Sequence, residues 1–185
     1  MPSIVFKLVP FPGQNDNIQV QFDVSGSLQL YKTHIDISFQ VTGNIESLQI
    51  PAKSLTPSRK DNLWENTCFE VFIAKPERAD YWEYNISPSQ NWAVFHFTEY
   101  RLSKNDELSI GNIDVTTHFT PPNQYTIQSQ LPLVEALYAK NLQVGISTIL
   151  QDREKTIYYY ALAHQRQNPD FHVRDSFTLL LNAQT

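Results

Sequence analysis

Short segments in which apolar and polar residues alternate constrain the fold of this chain more than any other feature. Residues His34 to Val41 read HIDISFQV and alternate without a fault. Because successive side chains of a β-strand point to opposite faces of a sheet, this pattern predicts a strand with one buried face. Similar segments occur along the whole chain: Ile18–Val24, Phe69–Ile73, Trp82–Ile86, Ala93–Thr98, Tyr125–Leu131, Leu142–Leu150, Thr156–Ala163 and Phe177–Leu181.

Turn-forming residues separate these segments, for example Thr42-Gly43-Asn44 and Pro121-Pro122-Asn123. Many short strands at regular spacing are typical of an antiparallel two-sheet β-sandwich, immunoglobulin-like or jelly-roll-like, here of roughly ten strands. At most one short helix is expected, over Pro132 to Ala139, where good helix formers cluster. Because no linker or repeat interrupts the pattern, we predict one domain spanning residues 1–185.

The composition is that of a globular protein and argues against two classes of partner. Of the 185 residues, 41% are hydrophobic and 18% charged, and the net charge is -5 with only 14 Lys and Arg. A nucleic-acid binder normally presents a basic face, so we expect no nucleic-acid partner. The N-terminus has no basic segment followed by a long apolar run, so we expect neither a signal peptide nor a membrane span. This pattern favours a cytoplasmic protein. The single cysteine, Cys68, has no partner for an internal disulfide.

Two stretches combine aromatic rings with polar groups, as ligand-binding surfaces do. In YWEYNISPSQNW, residues 81–92, the alternation places Trp82, Tyr84 and Ile86 on one strand face, which we assign to the core, and leaves Trp92 ambiguous. The loop AHQRQNPDFH, residues 163–172, brackets Phe171 with polar groups. Such a loop either binds a ligand or is an ordered loop whose polar side chains form hydrogen bonds with its own backbone, and the sequence favours the two interpretations equally.

Two glutamates near residue 68 raise the question of carboxylate chemistry. Glu65 and Glu70 are five residues apart, which favours opposite faces of a strand over a shared catalytic site. Glu70 interrupts the apolar run FEVFI, so a buried Glu70 needs hydrogen-bond donors or a cation, and Arg101 and Arg174 are the expected partners.

The segments DNLWENTCFEVFIA and YWEYNISPSQNWAVFHF, with the closing FHVRDSFTLLL, resemble DOMON-like proteins and the related family 9 carbohydrate-binding modules. Gln90 stands where that family more often has Gly, which predicts a less tight turn. The matching residues, in chain order, are Asp61, Trp64, Glu65, Cys68, Glu70, Phe72, Tyr84, Asn85, Ser87, Pro88 and Trp92.

This resemblance implies a non-catalytic sandwich that binds carbohydrate through an aromatic clamp at one edge, formed by the Trp64 loop and the Phe171 loop. A pyranose offers an apolar face for stacking and hydroxyls for polar partners, which suits such a site. Near the second clamp the chain has Phe171 and His172 where the family has Trp. The candidate ligand-binding residues are Trp64, Glu65, Asn85, Trp92, Arg101, His164, Phe171, His172, Arg174 and Asp175.

Three other functions remain open at this stage. A haem-binding domain would need axial ligands; Met1 is the single methionine, so a pair drawn from His96, His164 and His172 is the available option. A glycoside hydrolase would pair Glu65 or Glu70 with Asp170 or Asp175. The third alternative is a protein-interaction sandwich. We expect no metal and no resident cofactor, since no histidines stand at the spacing of a structural metal site.

Overall fold

The computed structural model describes residues 3–13, 22–138 and 141–182. These residues form an all-β structure with almost no helix: the helical segments are single 3-10 turns at Ile45–Ser47, Leu63–Glu65, Glu135–Leu137 and Arg174–Ser176. No helix in this part of the chain is long and apolar enough to cross a lipid bilayer. The strands are β1 Ile4–Pro10, β2 Phe22–Leu30, β3 His34–Gly43, β4 Cys68–Ala74, β5 Tyr81–Ile86, β6 Trp92–Phe97, β7 Asn105–Asp106, β8 Val115–Thr120, β9 Gln124–Pro132, β10 Asn141–Gln151, β11 Ile157–Ala161 and β12 Leu179–Asn182.

The strands form one continuous antiparallel sheet in the order β7-β6-β5-β4-β10-β11-β1-β2-β3-β9-β8, and β12 pairs beside β10. Strand β1 joins the two halves, because its first part pairs with β2 and its last two residues, Val9 and Pro10, pair with β11. The predicted division into two separate sheets is therefore not confirmed.

The sheet is strongly curled, so that its two halves face each other across the core. The rings of Phe39 on β3 and Phe69 on β4 have centroids 5.0 Å apart, although four strands separate β3 from β4 in the sheet order. The hydroxyl of Tyr84 on β5 likewise donates to the carbonyl of Pro132 on β9 at 2.8 Å. A flat sheet cannot make these contacts, and the right-handed twist of antiparallel sheets makes such curling the ordinary outcome.

Strands β4 and β5 are buried along their whole length, on both faces. Their inner residues, which include Trp82, Tyr84 and Ile86 as predicted, belong to the main core. Their outer residues form a second apolar layer with β6, which is covered by residues from the loops. The ring of Phe177 lies directly on Gly145 of β10, where a Cβ atom would stand 2.5 Å from the ring. This outer layer consists of Phe72, Ala74, Tyr81, Ala93, Phe95, Phe97 and Phe177, with Leu63, Trp64 and Phe171 packed against it.

Two local expectations differ from the structure, and a third lies partly outside the described residues. The helix expected over Pro132 to Ala139 is replaced by the last residue of strand β9, Pro132, and by the single 3-10 turn Glu135–Leu137. Ala139 lies outside the described residues. The strand expected over Ile18–Val24 is described only from Phe22. The turn at Gln90 is not loosened, since Gln90 adopts a left-handed backbone (φ 70°) and its N–H donates to the Ser87 carbonyl at 2.8 Å.

Replacing Phe39 with Ala tests the curled core. Phe39 is fully buried between the two halves of the sheet, so we expect Phe39→Ala to lower the free energy of unfolding by about 3–5 kcal/mol. Phe119 lies on the edge strand β8 and is 44% exposed, so Phe119→Ala should change it by less than about 1 kcal/mol. Urea denaturation followed by circular dichroism measures both, and similar effects would contradict the assignment of Phe39 to a shared core.

Candidate functional site

A cavity of about 390 Å³ opens on the outer face of strands β4, β5, β10 and β11, beneath the loops that cover it. Its size lies within the usual range of small-molecule sites, about 300–1,000 Å³. It is lined by Trp64, Glu70, Glu83, Phe97, Arg101, Lys104, Ile149, Tyr159, Pro169, Phe171 and His172. The combination of several rings with charged groups distinguishes it from a depression of about 440 Å³ on the outer face of the other half-sheet, whose lining is Ser, Thr, Gln, Asp, Leu and Ile.

The floor of the cavity carries two glutamates on adjacent strands. In the register of β4 with β5, Glu70 lies opposite Asn85 and Glu83 lies opposite Phe72. Glu70 and Glu83 are therefore diagonal neighbours on the same face of the sheet, close enough for their side chains to interact. They are 3% and 5% exposed. Their position in the middle of two buried strands places both carboxyl groups in a largely dehydrated environment.

Each carboxyl group has one close hydrogen-bond donor. The Ser147 hydroxyl donates to Glu70 Oε2 at 2.9 Å, and the Asn85 amide donates to Glu83 Oε1 at 2.7 Å. Burial raises the pKa of Glu70 to about 8, and the nearby Glu83 carboxylate adds to the shift. Burial likewise raises the pKa of Glu83 to about 7, although the hydrogen bond from Asn85 acts in the opposite direction and lowers it. The pair thus holds protons at a pH where an exposed glutamate is ionised.

A neutral histidine borders the same floor. The Nδ1 atom of His172 is 2.8 Å from the Tyr81 hydroxyl oxygen, and its Nε2 atom is 3.8 Å from Glu83 Oε2. The backbone N–H of Arg101 donates to the same Tyr81 oxygen at 3.1 Å. Burial, with the positive charge of Arg101, lowers the pKa of His172 to about 3. The imidazole is therefore uncharged, and it offers the cavity one hydrogen-bond donor or acceptor.

The Trp64 ring stands at one end of the floor, above strand β6. The left-handed backbone of Asn62 (φ 58°) turns the chain into the 3-10 turn that carries Trp64. The indole packs edge-on against Phe95 at 5.9 Å, and the Lys104 ammonium lies 4.3 Å from its centroid. Asp61 holds that ammonium at 2.8 Å. A cation–π contact of this kind stabilises the ring by about 0.5–1 kcal/mol at an exposed position, so the indole is held in place before any ligand arrives.

Phe171 stands at the other end, above strand β11. Its ring lies 6.1 Å from that of Tyr159 on β11. The loop that carries Phe171 is fixed by Asp170, which accepts from the Arg101 guanidinium at 3.0 Å, from the Tyr100 hydroxyl and from the backbone N–H of His172. Strands β5, β4 and β10 run between β6 and β11. The two rings therefore bracket the floor that holds the glutamates.

The structure brings four of the ten predicted site residues into the lining of this cavity: Trp64, Arg101, Phe171 and His172. It places the other six elsewhere. Glu65 and Asp175 are exposed beyond the cavity, and the Nε2–H group of His164 donates to the Val9 carbonyl oxygen at 3.0 Å. Asn85 is fully buried on the same face of the sheet, opposite Glu70, where its amide donates to Glu83. Trp92 and Arg174 lie in other parts of the fold.

The placements of Trp92 and Arg174 have simple physical reasons. Trp92 is on the inner face of β6, so its ring belongs to the main core and is covered by the Arg59 guanidinium at 4.5 Å. Arg174 donates to the Lys75 carbonyl at 3.1 Å and to Gln143 Oε1 at 2.7 Å, so it fastens the covering loop to the sheet. Neither Arg101 nor Arg174 forms an ion pair with Glu70, contrary to expectation; Ser147 takes that place.

Three charged lining residues were not among the predicted site residues: Glu70, which was expected to have a structural role, Glu83 and Lys104. The signal for Glu83 was present: CFEVFIA and YWEYNI each carry a glutamate at the third position of an otherwise apolar or amide-bearing strand.

Of the three histidines considered for haem, His172 lines the cavity, while His96 contacts Asp80 and His164 lies outside. Within residues 3–13, 22–138 and 141–182, no group of three His, Cys, Asp or Glu side chains converges as a metal site.

Comparison with known proteins gives similarity at the level of structure. No protein-family model matches the chain, and no curated protein sequence matches it. A crystal structure from Bacteroides uniformis ATCC 8492, described as a candidate carbohydrate-binding protein, aligns over 97% of this chain and 85% of that one, with a TM-score of 0.71 and 13% identity. At this identity the likeness shows a shared fold.

Two further similar structures are family 9 carbohydrate-binding modules from Caldicellulosiruptor kristjanssonii. The complex with cellotriose aligns over 79% of this chain and 68% of that one, with a TM-score of 0.44 and 12% identity. The complex with glucose aligns over 78% and 69%, with a TM-score of 0.43 and 12% identity. These three similar structures are carbohydrate-binding proteins or candidates for that class.

The raised pKa values of Glu70 and Glu83 predict how stability depends on pH. A glutamate with a pKa near 4.5 when unfolded and about 7 or 8 when folded stabilises the fold below pH 4.5. That contribution is lost as the pH rises through the folded pKa. We therefore expect Glu70→Gln/Glu83→Gln to gain stability relative to the native protein between pH 5 and 8, by more than about 1.4 kcal/mol, the free energy of one pKa unit.

Urea denaturation at several pH values measures this difference. The exposed Glu46 provides the matched control, since Glu46→Gln makes the same chemical change at the protein surface, outside the cavity. A difference between the double variant and the native protein that stays constant with pH would contradict the raised pKa values.

Proposed function

We propose that this protein is a non-catalytic binding domain that holds a carbohydrate between Trp64 and Phe171, over the floor formed by Glu70 and Glu83. The observation that carries the proposal is the arrangement of the cavity, with one ring at each end and two buried carboxyl groups between them. A pyranose ring has an apolar face that stacks on aromatic side chains and hydroxyl groups that need both donors and acceptors.

The polar groups of the cavity match such a ligand in kind. The Glu70 and Glu83 oxygens accept hydrogen bonds from hydroxyls, and the Arg101 guanidinium donates to them. The neutral His172 adds a further polar contact from the same side. Because Asp61, Asp170 and Tyr81 already hold Lys104, Arg101 and His172 in position, little conformational entropy is lost when a ligand binds.

The position of the carboxyl groups favours binding over hydrolysis. Glycoside hydrolases place two carboxyl groups on either side of the bond that they cleave. Glu70 and Glu83 lie side by side on neighbouring strands, on one side of the cavity. Among the partners considered for a hydrolase, Asp170 is bound by Arg101 and Tyr100, and Glu65 and Asp175 are exposed outside the cavity. The carbohydrate-binding description of the similar Bacteroides uniformis structure agrees with this proposal.

Removal of either ring tests the proposed clamp. Stacking on an aromatic side chain contributes about 1–3 kcal/mol to the binding of flat ligands, so Trp64→Ala and Phe171→Ala should each weaken sugar binding roughly 5- to 150-fold. Both rings are partly exposed, so the variants should remain folded. A glycan array identifies a ligand for the native protein, and calorimetry then compares the variants.

Phe119→Ala removes a half-exposed ring from the other half-sheet and serves as the matched control, which should bind like the native protein. The clamp is wrong if the native protein binds no glycan, or if Trp64→Ala and Phe171→Ala bind as tightly as this control.

A further inference from the structure

Among the described residues, no Lys or Arg side chain forms an ion pair with either carboxyl group of the cavity floor. Ser147 and Asn85 each supply one hydrogen bond, whereas an ionised carboxylate has about four sites at which it can accept one. In the same part of the chain, the uncharged His172 places its Nε2 atom 3.8 Å from Glu83 Oε2 and supplies no positive charge. A buried carboxylate without a cation is strongly disfavoured, so the floor favours any partner that brings positive charge.

The charges around the cavity have an acidic balance. Two cations are present, and each is already held by an aspartate: Lys104 by Asp61 at 2.8 Å and Arg101 by Asp170 at 3.0 Å. Glu70 and Glu83 are then two further acidic groups without a paired cation, and the charges of Arg101 and Lys104 oppose the rise of their pKa values only in part. The charged and titratable groups that face them from the surrounding strands and loops are Asp61, Cys68, Tyr81, Arg101, Lys104, Asp170 and His172.

We propose that the cavity selects a sugar that carries a free amino group, such as a hexosamine, and that the ammonium group binds between Glu70 and Glu83. This inference rests on the proposed carbohydrate-binding function and specifies its ligand class. An ammonium has three N–H donors, which suit the unused acceptor sites of two neighbouring carboxylates. The same site disfavours a uronic acid, because its carboxylate would meet two others, and an N-acetylated sugar, because acetylation removes the charge.

Binding of a cation also moves a proton. In the free protein, the two glutamates are held partly protonated by burial and by each other. When an ammonium lies between them, its charge favours the ionised carboxylates, and the proton that leaves goes to the solvent. A neutral sugar brings no such charge. Proton release on binding therefore distinguishes the amine from a neutral sugar, independently of any amino-acid substitution.

The experiment is calorimetry at pH 6.5 with matched methyl glycosides, in the gluco and galacto configurations. The compared ligands are the 2-amino sugar, its N-acetyl derivative, the neutral sugar and the uronic acid. We expect the 2-amino sugar to bind at least about tenfold more tightly than the matched neutral sugar. Titrations in two buffers of different ionisation enthalpy should show release of between about one and two protons per 2-amino sugar bound, and none for the neutral sugar.

Variants then connect the preference to the floor. In Glu70→Gln/Glu83→Gln the ratio of the two affinities should fall to about one, whereas the exposed-site control Glu46→Gln should keep it. If neutral and amino sugars bind equally to the native protein, or if the amine binds without proton release, the inference is wrong while the proposed function stands. If no glycoside binds at all, the proposed function fails together with the inference.

Discussion

Burial of both faces of strands β4 and β5 is the constraint on which the rest of this structure depends. Their inner residues pack in the main core, so the sheet must curl until its halves meet, as the contact of Phe39 with Phe69 shows. Their outer residues are also apolar, so loops must fold over them. Loops, and not a second sheet, therefore cover this outer layer. The space that remains beneath the loops is the cavity whose floor carries Glu70 and Glu83.

Much of this fold could be predicted from the alternation of residues, because period two determines which face of a strand is buried. Strand β3 was expected at His34–Val41 and runs His34–Gly43, and Trp82, Tyr84 and Ile86 lie in the core as predicted. The continuity of the two halves in one sheet could not be predicted, because it depends on the backbone pairing of Val9 and Pro10 with β11. Pairing between such distant segments leaves no signal in the local pattern.

The site was only partly predictable, for reasons that particular residues make clear. Trp64 and Phe171 were expected at a shared site, and both line the cavity. Trp92 was misplaced because a ring at the start of a strand can face either side, and the register of β5 with β6 decides which. Glu83 was overlooked because its importance comes from Glu70, one strand away. A glutamate within an apolar strand is a stronger signal when the neighbouring strand carries another.

The chain has three tryptophans, which can report directly on whether the cavity between Trp64 and Phe171 binds carbohydrate. Protein labelled with 5-fluorotryptophan gives one fluorine NMR signal per residue, and Trp64→Phe assigns the signal of Trp64. On titration with methyl glucoside and methyl glucosaminide, we expect the chemical shift of the Trp64 signal to change with sugar concentration until the site is saturated. The signals of the core residues Trp82 and Trp92 should not change. If the Trp64 signal does not move at saturating sugar, or if Trp92 responds instead, the cavity between Trp64 and Phe171 is not the carbohydrate site.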